Sequence, residues 1–394
     1  MTTLNSLIWA LLLGPLLVGA YAYCVYPALL WLVAGGRETD HDRHGWDEWP
    51  SVSICLPAYN EEDVIRGTLE ALCSIDYPAD RLQILVVSDG STDGTNDIVR
   101  EFETRGVTLL ALDDRGGKTA AENAAIPHLH GDIVVNTDAT TRIDPDAVKA
   151  LVRRLADPGV GVASGRDVSV APEDGTAAEG EKGYVDFEMW LRSLETRVHS
   201  IVGASGCLYA IRRELHATEW PAGLSRDFGA ALLARERGYR AVSAEDAIAR
   251  VPLTPSLWTE FRRKRRTILR GLRTLFYKRH LLNPFEYGHF AAMLFSHKLC
   301  RWIVPLLAPV SLAALAVLAF RHSWAAVALI GSGIVAGLAV WLLRRDGSSA
   351  RLPRPLGLIG FGVAANIAAW LAWMAFFQGE SQAIWEPTRR TQGG

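Results

Sequence analysis

The chain has 394 residues, with 41 Lys and Arg against 43 Asp and Glu, and 49% of its residues are hydrophobic. Its formal net charge of −2 offers no general attraction to nucleic acid, so we expect no nucleic acid partner. Residues 1–36 and the runs 302–320, 323–343 and 355–379 contain no charged side chain. Each run approaches or exceeds the roughly 20 residues that a helix needs to cross a bilayer, which excludes a simple soluble protein.

The charge-free runs divide the chain into five parts. We predict an N-terminal transmembrane segment at 1–36, because this run lacks the basic start of a signal peptide and is longer than a signal peptide's apolar region. A globular domain at 50–250 and amphipathic interfacial helices at 255–298 follow. Three further transmembrane helices are expected within 299–379, before a C-terminal tail at 380–394.

The loops between the apolar runs predict the orientation in the membrane. Cytoplasmic loops carry an excess of Lys and Arg, and the loop between the third and fourth runs is rich in arginine. Its arginines are Arg344, Arg345, Arg351 and Arg354. With four spans, both termini then face outward and the globular domain is cytoplasmic, so we predict a multi-pass protein of the inner (plasma) membrane. Arg389 and Arg390 in the tail oppose this assignment mildly.

The five cysteines are spread widely, and no pair has the C-x-x-C spacing of a zinc or redox site. We therefore predict buried or inert thiols and no disulfide bonds.

Short runs rich in Val, Ile and Leu alternate with helix-like stretches in the globular domain. The predicted strands are 52–56, 84–87, 107–112 and 133–136, and the predicted helices are 61–73, 97–105, 118–125 and 146–155. This alternation is typical of an α/β fold with a mainly parallel sheet and helices on both faces. Ligands of such sheets bind beyond the carboxyl ends of the strands.

A polar segment follows each of the four predicted strands, at 57–62, 88–95, 113–118 and 137–140. Each segment alone could be a turn or a helix cap. Four of them at one edge of a sheet point to a binding site.

The side chains of these segments suit a nucleoside diphosphate. Asp89 can accept the imino hydrogen of a uracil ring, and Tyr59 can pack on its face. Lys118 follows two glycines at the start of a helix, where its ammonium and free backbone N–H groups can approach a phosphate. Asp138 can hold a divalent cation. No G-x-G-x-x-G or P-loop motif is present, which disfavours dinucleotide and P-loop binding.

The order of motifs carries a family resemblance. The motifs are PAYNE at 57–61, SDGSTDGT at 88–95, GGK at 116–118, TDA at 137–139, GASGCLYAIRR at 203–213, and an Arg-Gly-Tyr at 237–239. The sequence resembles the family 2 glycosyltransferases, inverting enzymes with a GT-A fold, and in particular their membrane-anchored polysaccharide and glycolipid branch. The resemblance implies that Pro57, Tyr59, Glu61, Asp89 and Lys118 contact the nucleotide sugar. It places Asp138 beside the diphosphate and a metal ion, Mg²⁺ or Mn²⁺.

The resemblance also implies a general base, the Asp that stands eleven residues before the Gly of an Arg-Gly-aromatic motif. Asp227 stands at that distance from Gly238. A carboxylate across from the leaving diphosphate can take the proton of an attacking hydroxyl. The alternative is that Asp227 only caps a helix.

Two departures from the family pattern matter. Thr140 replaces the second Asp of the usual metal motif, which makes the metal assignment less firm than in relatives with both carboxylates. Thr267 stands where related synthases carry a Trp that holds the acceptor sugar, and Arg263 and Arg266 align with the same segment. The missing Trp argues against a processive synthase.

Residues 257–276 have apolar side chains at helical spacing and arginines on the other face, which predicts an interfacial helix. Its arginines can anchor the domain at anionic headgroups, and Arg263 or Arg266 can contact a phosphate or the acceptor. Asn283 and Pro284 should end this helix before a second interfacial piece at 285–297.

We therefore expect an inverting transferase that moves a sugar from a nucleotide diphosphate donor, a UDP-sugar in the first instance, to a lipid-linked or polysaccharide acceptor at the bilayer. One alternative is a processive polysaccharide synthase, which four spans support only narrowly unless the chain forms an oligomer. The other is a catalytically inactive homologue that binds nucleotide sugar, with Thr140 and Arg226 as its altered positions.

Overall fold

A computed structural model describes residues 2–35, 45–170, 176–253, 256–344 and 354–384. These residues form an α/β domain that packs against a layer of mostly apolar helices. Residues 345 and 351 of the arginine-rich loop, and the two tail arginines, lie outside the described ranges.

The α/β domain is built on one sheet of eight strands in the order β3-β2-β1-β4-β7-β6-β8-β5. The strands are β1 (Val52–Ala58), β2 (Leu82–Asp89), β3 (Val107–Leu112), β4 (Ile133–Thr137), β5 (Arg142–Ile143), β6 (Val160–Val170), β7 (Leu208–Arg212) and β8 (Arg240–Pro252). Strands β1 to β4 pair in parallel, and β7 joins them antiparallel to both β4 and β6. The predicted mainly parallel sheet is confirmed.

The alternation of side chains along β1 explains why this strand lies at the centre of the sheet. Ile54 and Leu56 point into one apolar core, whereas Cys55 between them belongs to the core on the opposite face. All seven residues of β1 are buried. A strand covered on both faces needs a continuous apolar run, which is what made it recognisable in the sequence.

The helices of the domain cover both faces of the sheet. They are α3 (Ile65–Leu72), α4 (Thr95–Glu101), α5 (Lys118–Ala125), α6 (Ala147–Arg154), α7 (Thr176–Val198), α8 (Arg213–His216) and α9 (Arg226–Glu236). The first of them begins later than predicted, because the backbone turns at Glu61, whose carbonyl accepts from the N–H groups of Val64 and Ile65.

The remaining helices pack together outside the α/β domain. They are α1 (Thr2–Ala20), α2 (Tyr26–Ala34), α10 (Leu257–Tyr277), α11 (Pro284–Tyr287), α12 (His289–Leu294), α13 (Arg301–Ala319), α14 (Ser323–Arg344) and α15 (Arg354–Phe377). π-Helical turns join α1 to α2 and α12 to α13. Within the described residues, four helical stretches are long and apolar enough to cross a membrane: Thr3–Ala34, His289–Ala319, Ser323–Arg344 and Leu358–Phe377.

The second predicted interfacial piece, at 285–297, is not a separate element. The chain turns at Gly288, with φ +52°, and from His289 it continues as one helical stretch to Ala319. His297 and Arg301 can lie inside this stretch because carboxylates of α7 pair with them. The predicted boundary at residue 298 between interfacial helices and spans therefore falls within this helical stretch and stays a prediction.

A buried polar cluster joins the domain to the first and second apolar stretches. His297 Nδ1 lies 2.7 Å from Glu195 Oε1, and Tyr26 donates a hydrogen bond of 2.8 Å to the same oxygen. Glu188 pairs with Arg301 and, at 3.1 Å, with His297 Nε2. Burying a carboxylate without partners costs free energy of folding. These contacts therefore favour the observed position of the apolar helices against α7.

Candidate active site

A cavity of about 390 Å³ lies at the carboxyl ends of β1 and β4, closed by α5, α9, α10 and the start of α13. Its wall contains twelve ionisable side chains: Glu61, Lys118, Glu122, Asp138, Asp167, Arg192, Arg226, Asp227, Arg263, Arg266, Arg270 and Lys298. The predicted residues Pro57, Glu61, Lys118, Asp138, Asp227, Arg263 and Arg266 all line this cavity. Most of the predicted site thus converges on one cleft.

The loop before Lys118 is held by the last residue of β2. Asp89 is fully buried, and its two carboxylate oxygens accept hydrogen bonds of 2.8 Å from the backbone N–H groups of Gly116 and Gly117. Gly117 has φ +94°, a conformation that favours glycine. Asp89 is not among the residues that line the cavity. Its two hydrogen bonds instead position the loop that carries Lys118.

We expect Asp89→Ala to destabilise the protein, because it leaves two buried N–H groups without an acceptor. Each unpaired group costs about 1–3 kcal/mol. The loss should appear as a lowered midpoint of thermal unfolding of the purified protein. Asp97→Ala is the control, since this carboxylate is 83% exposed and pairs only with Arg100 in the described chain. Equal midpoints for the two variants would refute the positioning role.

Lys118, the first residue of α5, connects two walls of the cavity. Its ammonium pairs with the carboxylate of Asp138 and donates a hydrogen bond of 3.0 Å to the carbonyl of Gly206. Burial opposes the charged form, but the carboxylates of Asp138, Glu122 and Asp227 outweigh it and raise the pKa of Lys118. The residue is therefore a permanent cation at the site.

Asp227 lies in the first turn of α9, directly beside Gly206. A Cβ atom on Gly206 would lie 2.7 Å from its Oδ2 atom, so any larger residue at 206 would displace this carboxylate from its present position. Ser225, not Asp227, occupies the N-cap position, and the Ser225 hydroxyl donates to Asp227 Oδ1. Gly206 therefore touches both Lys118 and Asp227, which were far apart in the sequence.

Tyr59 lies outside the cavity wall in the described structure. The guanidinium of Arg115 covers its ring at 3.7 Å from the centroid. Because a cation already packs on this face, a nucleotide base that stacks on Tyr59 there would have to displace Arg115.

The arginines of α10 face the protein more than the sequence pattern indicated. Arg263 pairs with Glu260 at 2.7 Å and with Glu181 of α7. Arg270 donates to the hydroxyl of Thr119, at 2.7 Å, and to the carbonyl of Leu224. These two arginines attach α10 to the domain, and both line the cavity together with Arg266.

Sequence reasoning missed several groups in the wall. Glu122 is buried, neither of its oxygens has a hydrogen-bond partner in the described structure, and burial raises its pKa. Burial also raises the pKa of Asp167, whose carboxylate accepts from the Ser205 hydroxyl. The i, i+4 spacing from Lys118 could have revealed Glu122. Asp167 lies on β6, a strand that the sequence pattern did not predict.

The cavity fits a divalent cation that is shared with a ligand. Within the described ranges, no three His, Cys, Asp or Glu side chains come together as a ready-made metal site. Asp138 and the hydroxyl of Thr140 offer oxygen ligands at the wall. Mg²⁺ typically binds one or two carboxylates and completes its shell with substrate phosphates and water, so this small donor set is compatible with it.

Comparisons with known proteins agree with this geometry. Residues 53–218 match the model of the glycosyl transferase family 2. An N-acetylglucosaminyltransferase of Rhizobium sp. (strain N33) is 29% identical over 230 residues, 53% of this chain and 50% of that protein. A beta-monoglucosyldiacylglycerol synthase of Nostoc sp. (strain PCC 7120 / SAG 25.82 / UTEX 2576) is 26% identical over 169 residues, 42% of this chain and 36% of that protein. The chain thus spans half or less of the length of these two curated relatives.

The solved structure of a mannosyltransferase from Pyrobaculum calidifontis, in complex with GDP-Man and Mn²⁺, is similar over the whole architecture. It superposes with a TM-score of 0.67 at 25% identity, covering 94% of this chain and 100% of that one. The sheet and its flanking helices thus have the GT-A type of fold that the motif order indicated. Residues 53–218 match glycosyl transferase family 2, and the fold of the chain is similar to that of the solved mannosyltransferase.

Proposed function

We propose that this enzyme transfers a sugar from a nucleoside diphosphate donor to an amphipathic acceptor, with inversion at the anomeric carbon. The observation that carries the proposal is the position of Gly206, which touches both the cationic Lys118 and the carboxylate of Asp227 inside one cavity. Such a site can stabilise a leaving diphosphate and deprotonate an incoming hydroxyl at the same time.

Lys118 and Asp138 form the donor side of the proposed reaction. Lys118 holds its charge where the β-phosphate leaves, at the start of α5, where the helix dipole favours a negative charge. Asp138, with Thr140, would hold a divalent cation, which neutralises diphosphate charge when bound. Lys118, which pairs with Asp138 in this structure, would also be in place to donate to a phosphate oxygen.

Asp227 forms the acceptor side of the proposed reaction. Its Oδ1 atom is held by the Ser225 hydroxyl, while Oδ2 borders the cavity at Gly206. The carboxylate accepts the proton as the hydroxyl oxygen bonds to the anomeric carbon and the bond to the diphosphate oxygen breaks. One displacement of this kind inverts the configuration.

The membrane-side wall supports an acceptor that comes from the bilayer. Thr267 and Gly271 of α10 and Trp302 of α13 line the same cavity as Asp227. The ring of Trp302 meets Phe228 edge to face, with 5.8 Å between centroids. This aromatic pair offers a surface for a sugar or an alkyl chain. The glycolipid synthase among the relatives supports the same acceptor class.

We place the catalytic domain in the cytoplasm, because loops rich in arginine are usually cytoplasmic and the arginine-rich loop would lie on the same side.

The altered Arg226 bears on the alternative of an inactive homologue. Arg226 is buried and donates to Asn123 and to the carbonyl of His216, so it has a structural part in this chain. Its presence is therefore no argument for an inactive homologue.

The test is turnover by the full chain in lipid vesicles supplied with Mg²⁺ or Mn²⁺. UDP- and GDP-sugars are offered one at a time, and free nucleoside diphosphate is measured with and without an added lipid extract. We expect release that depends on one donor and increases with lipid acceptor. Donor binding without turnover would support the inactive homologue, and long products from one binding event would support the processive synthase.

A further inference from the structure

The last apolar helix, α15, packs along α10 in the same direction. Near the middle of α15, Ala364 shares an apolar cluster with Phe261, which is near the start of α10. Near its end, the ring of Phe376 lies 4.9 Å from that of Phe276, centroid to centroid. The second half of α15 thus lies beside most of α10, so any tilt of α10 in the membrane is shared by α15.

The composition of α10 excludes a path across the bilayer. It carries seven basic residues: Arg262, Arg263, Lys264, Arg265, Arg266, Arg270 and Arg273. Charged side chains are costly in hydrocarbon, and several of these pair with groups of the catalytic domain. A helix attached to the domain in this way lies at the membrane surface, and α15 beside it does too.

The ends of two other apolar helices give the direction of α15 independently. Leu343, at the end of α14, shares the cluster of Ala364. Trp302, at the start of α13, accepts a hydrogen bond of 2.7 Å from Trp373. Ala364 and Trp373 are more than two helical turns apart, about 14 Å along the axis. The domain-side ends of α13 and α14 therefore meet α15 at different points along it, as expected when α15 runs across their ends.

The residues that follow α15 return to the catalytic domain. Glu380 pairs with Arg265 at 2.9 Å. The carbonyl of Ala383 lies only 2.0 Å from where a Cβ atom on Gly117 would be. The residues after α15 therefore touch the loop Gly116–Lys118, which we call the donor loop. A helix that crossed the bilayer would carry these residues to the other side.

We propose that α15 lies in the interface on the side of the catalytic domain, that the chain crosses the bilayer with three of its four candidate helices, and that residues 379–384 support the donor loop. Under this arrangement the arginine-rich loop and the tail arginines share one side of the membrane, as the charge bias of cytoplasmic segments requires. The expectation that both termini face outward is thereby revised.

A disulfide between the tail and the domain tests this placement. A Cβ atom on Gly223 would lie 3.7 Å from Ser381 Cβ, within the spacing of about 3.5–4.5 Å that disulfides use. In the full chain in native membranes, Gly223→Cys/Ser381→Cys should form this cross-link on mild oxidation, detected as a linked peptide by mass spectrometry. Gly223→Cys/His322→Cys is the matched control and should give none, because His322 lies between α13 and α14.

A second measurement uses the single variants, which need no cross-link. Ser381→Cys should react with a membrane-impermeant maleimide only after the cells are permeabilised, whereas His322→Cys should react in intact cells. The unmodified chain gives the background from the native cysteines. Labelling of Ser381→Cys in intact cells, or failure of the double variant to cross-link while the domain is folded, would overturn the placement, whatever sugar the enzyme transfers.

Discussion

Asp227→Asn should abolish most of the transferase activity while leaving donor binding and folding in place. The amide has the size of the carboxylate but cannot accept the proton of the acceptor hydroxyl. Loss of a general base lowers kcat by roughly 10²–10⁴-fold. Steady-state release of nucleoside diphosphate, measured at saturating donor and acceptor, reports this loss directly. The KM for the donor should change little, because we propose that Asp227 acts on the acceptor and not on the donor.

Asp97→Asn is a matched control for a purely structural role of Asp227. Both carboxylates lie in the first turn of a helix, where a negative charge is favourable. Asp97 is on the surface and outside the cavity wall. If Asp227→Asn lowered only the unfolding midpoint and kept kcat, Asp227 would be a helix-terminal charge and the assignment as base would fail.

Lys118→Met should produce the second large loss, on the donor side. Methionine keeps the length and apolar stem of lysine but removes the charge that meets the leaving diphosphate. Removal of one preorganised group that stabilises developing charge costs roughly 10²–10³-fold in rate. The variant also leaves the Asp138 carboxylate without its ion pair, so its negative charge is no longer compensated. We therefore expect weaker binding of the negatively charged nucleoside diphosphate in addition to a lower kcat. Competitive inhibition by the free nucleotide measures that binding.

Lys149→Met separates this effect from a general loss of surface charge. Lys149 pairs with Asp76 at 2.7 Å and is not part of the cavity wall. It should retain the kcat and the nucleotide affinity of the unmodified enzyme. Unchanged nucleotide inhibition in Lys118→Met would remove Lys118 from the donor site and leave it as a structural link between Asp138 and Gly206.

The sequence was most informative where short-range physics decides the outcome. The strands β1, β2 and β4 are apolar runs buried between two helix layers, β3 is an apolar run at the edge of the sheet, and α5 has the bounds that its pattern predicted. By contrast, β6 and β8 were missed, because polar and charged residues interrupt them. Without these strands the sequence could not show that Asp167 would reach the same cleft as Asp138.

Residue chemistry and motif order by themselves predicted the fold class, the family resemblance and several of the residues that line the cleft. Only the tertiary structure decided the roles inside it: Asp89 supports a loop from behind the wall, Arg263 is neutralised by α7, and Gly206 brings Lys118 and Asp227 together. It also decided that α15 accompanies α10. Hydropathy measures only the preference of a segment for an apolar environment, whereas the direction of a helix depends on side chains that are distant in the sequence.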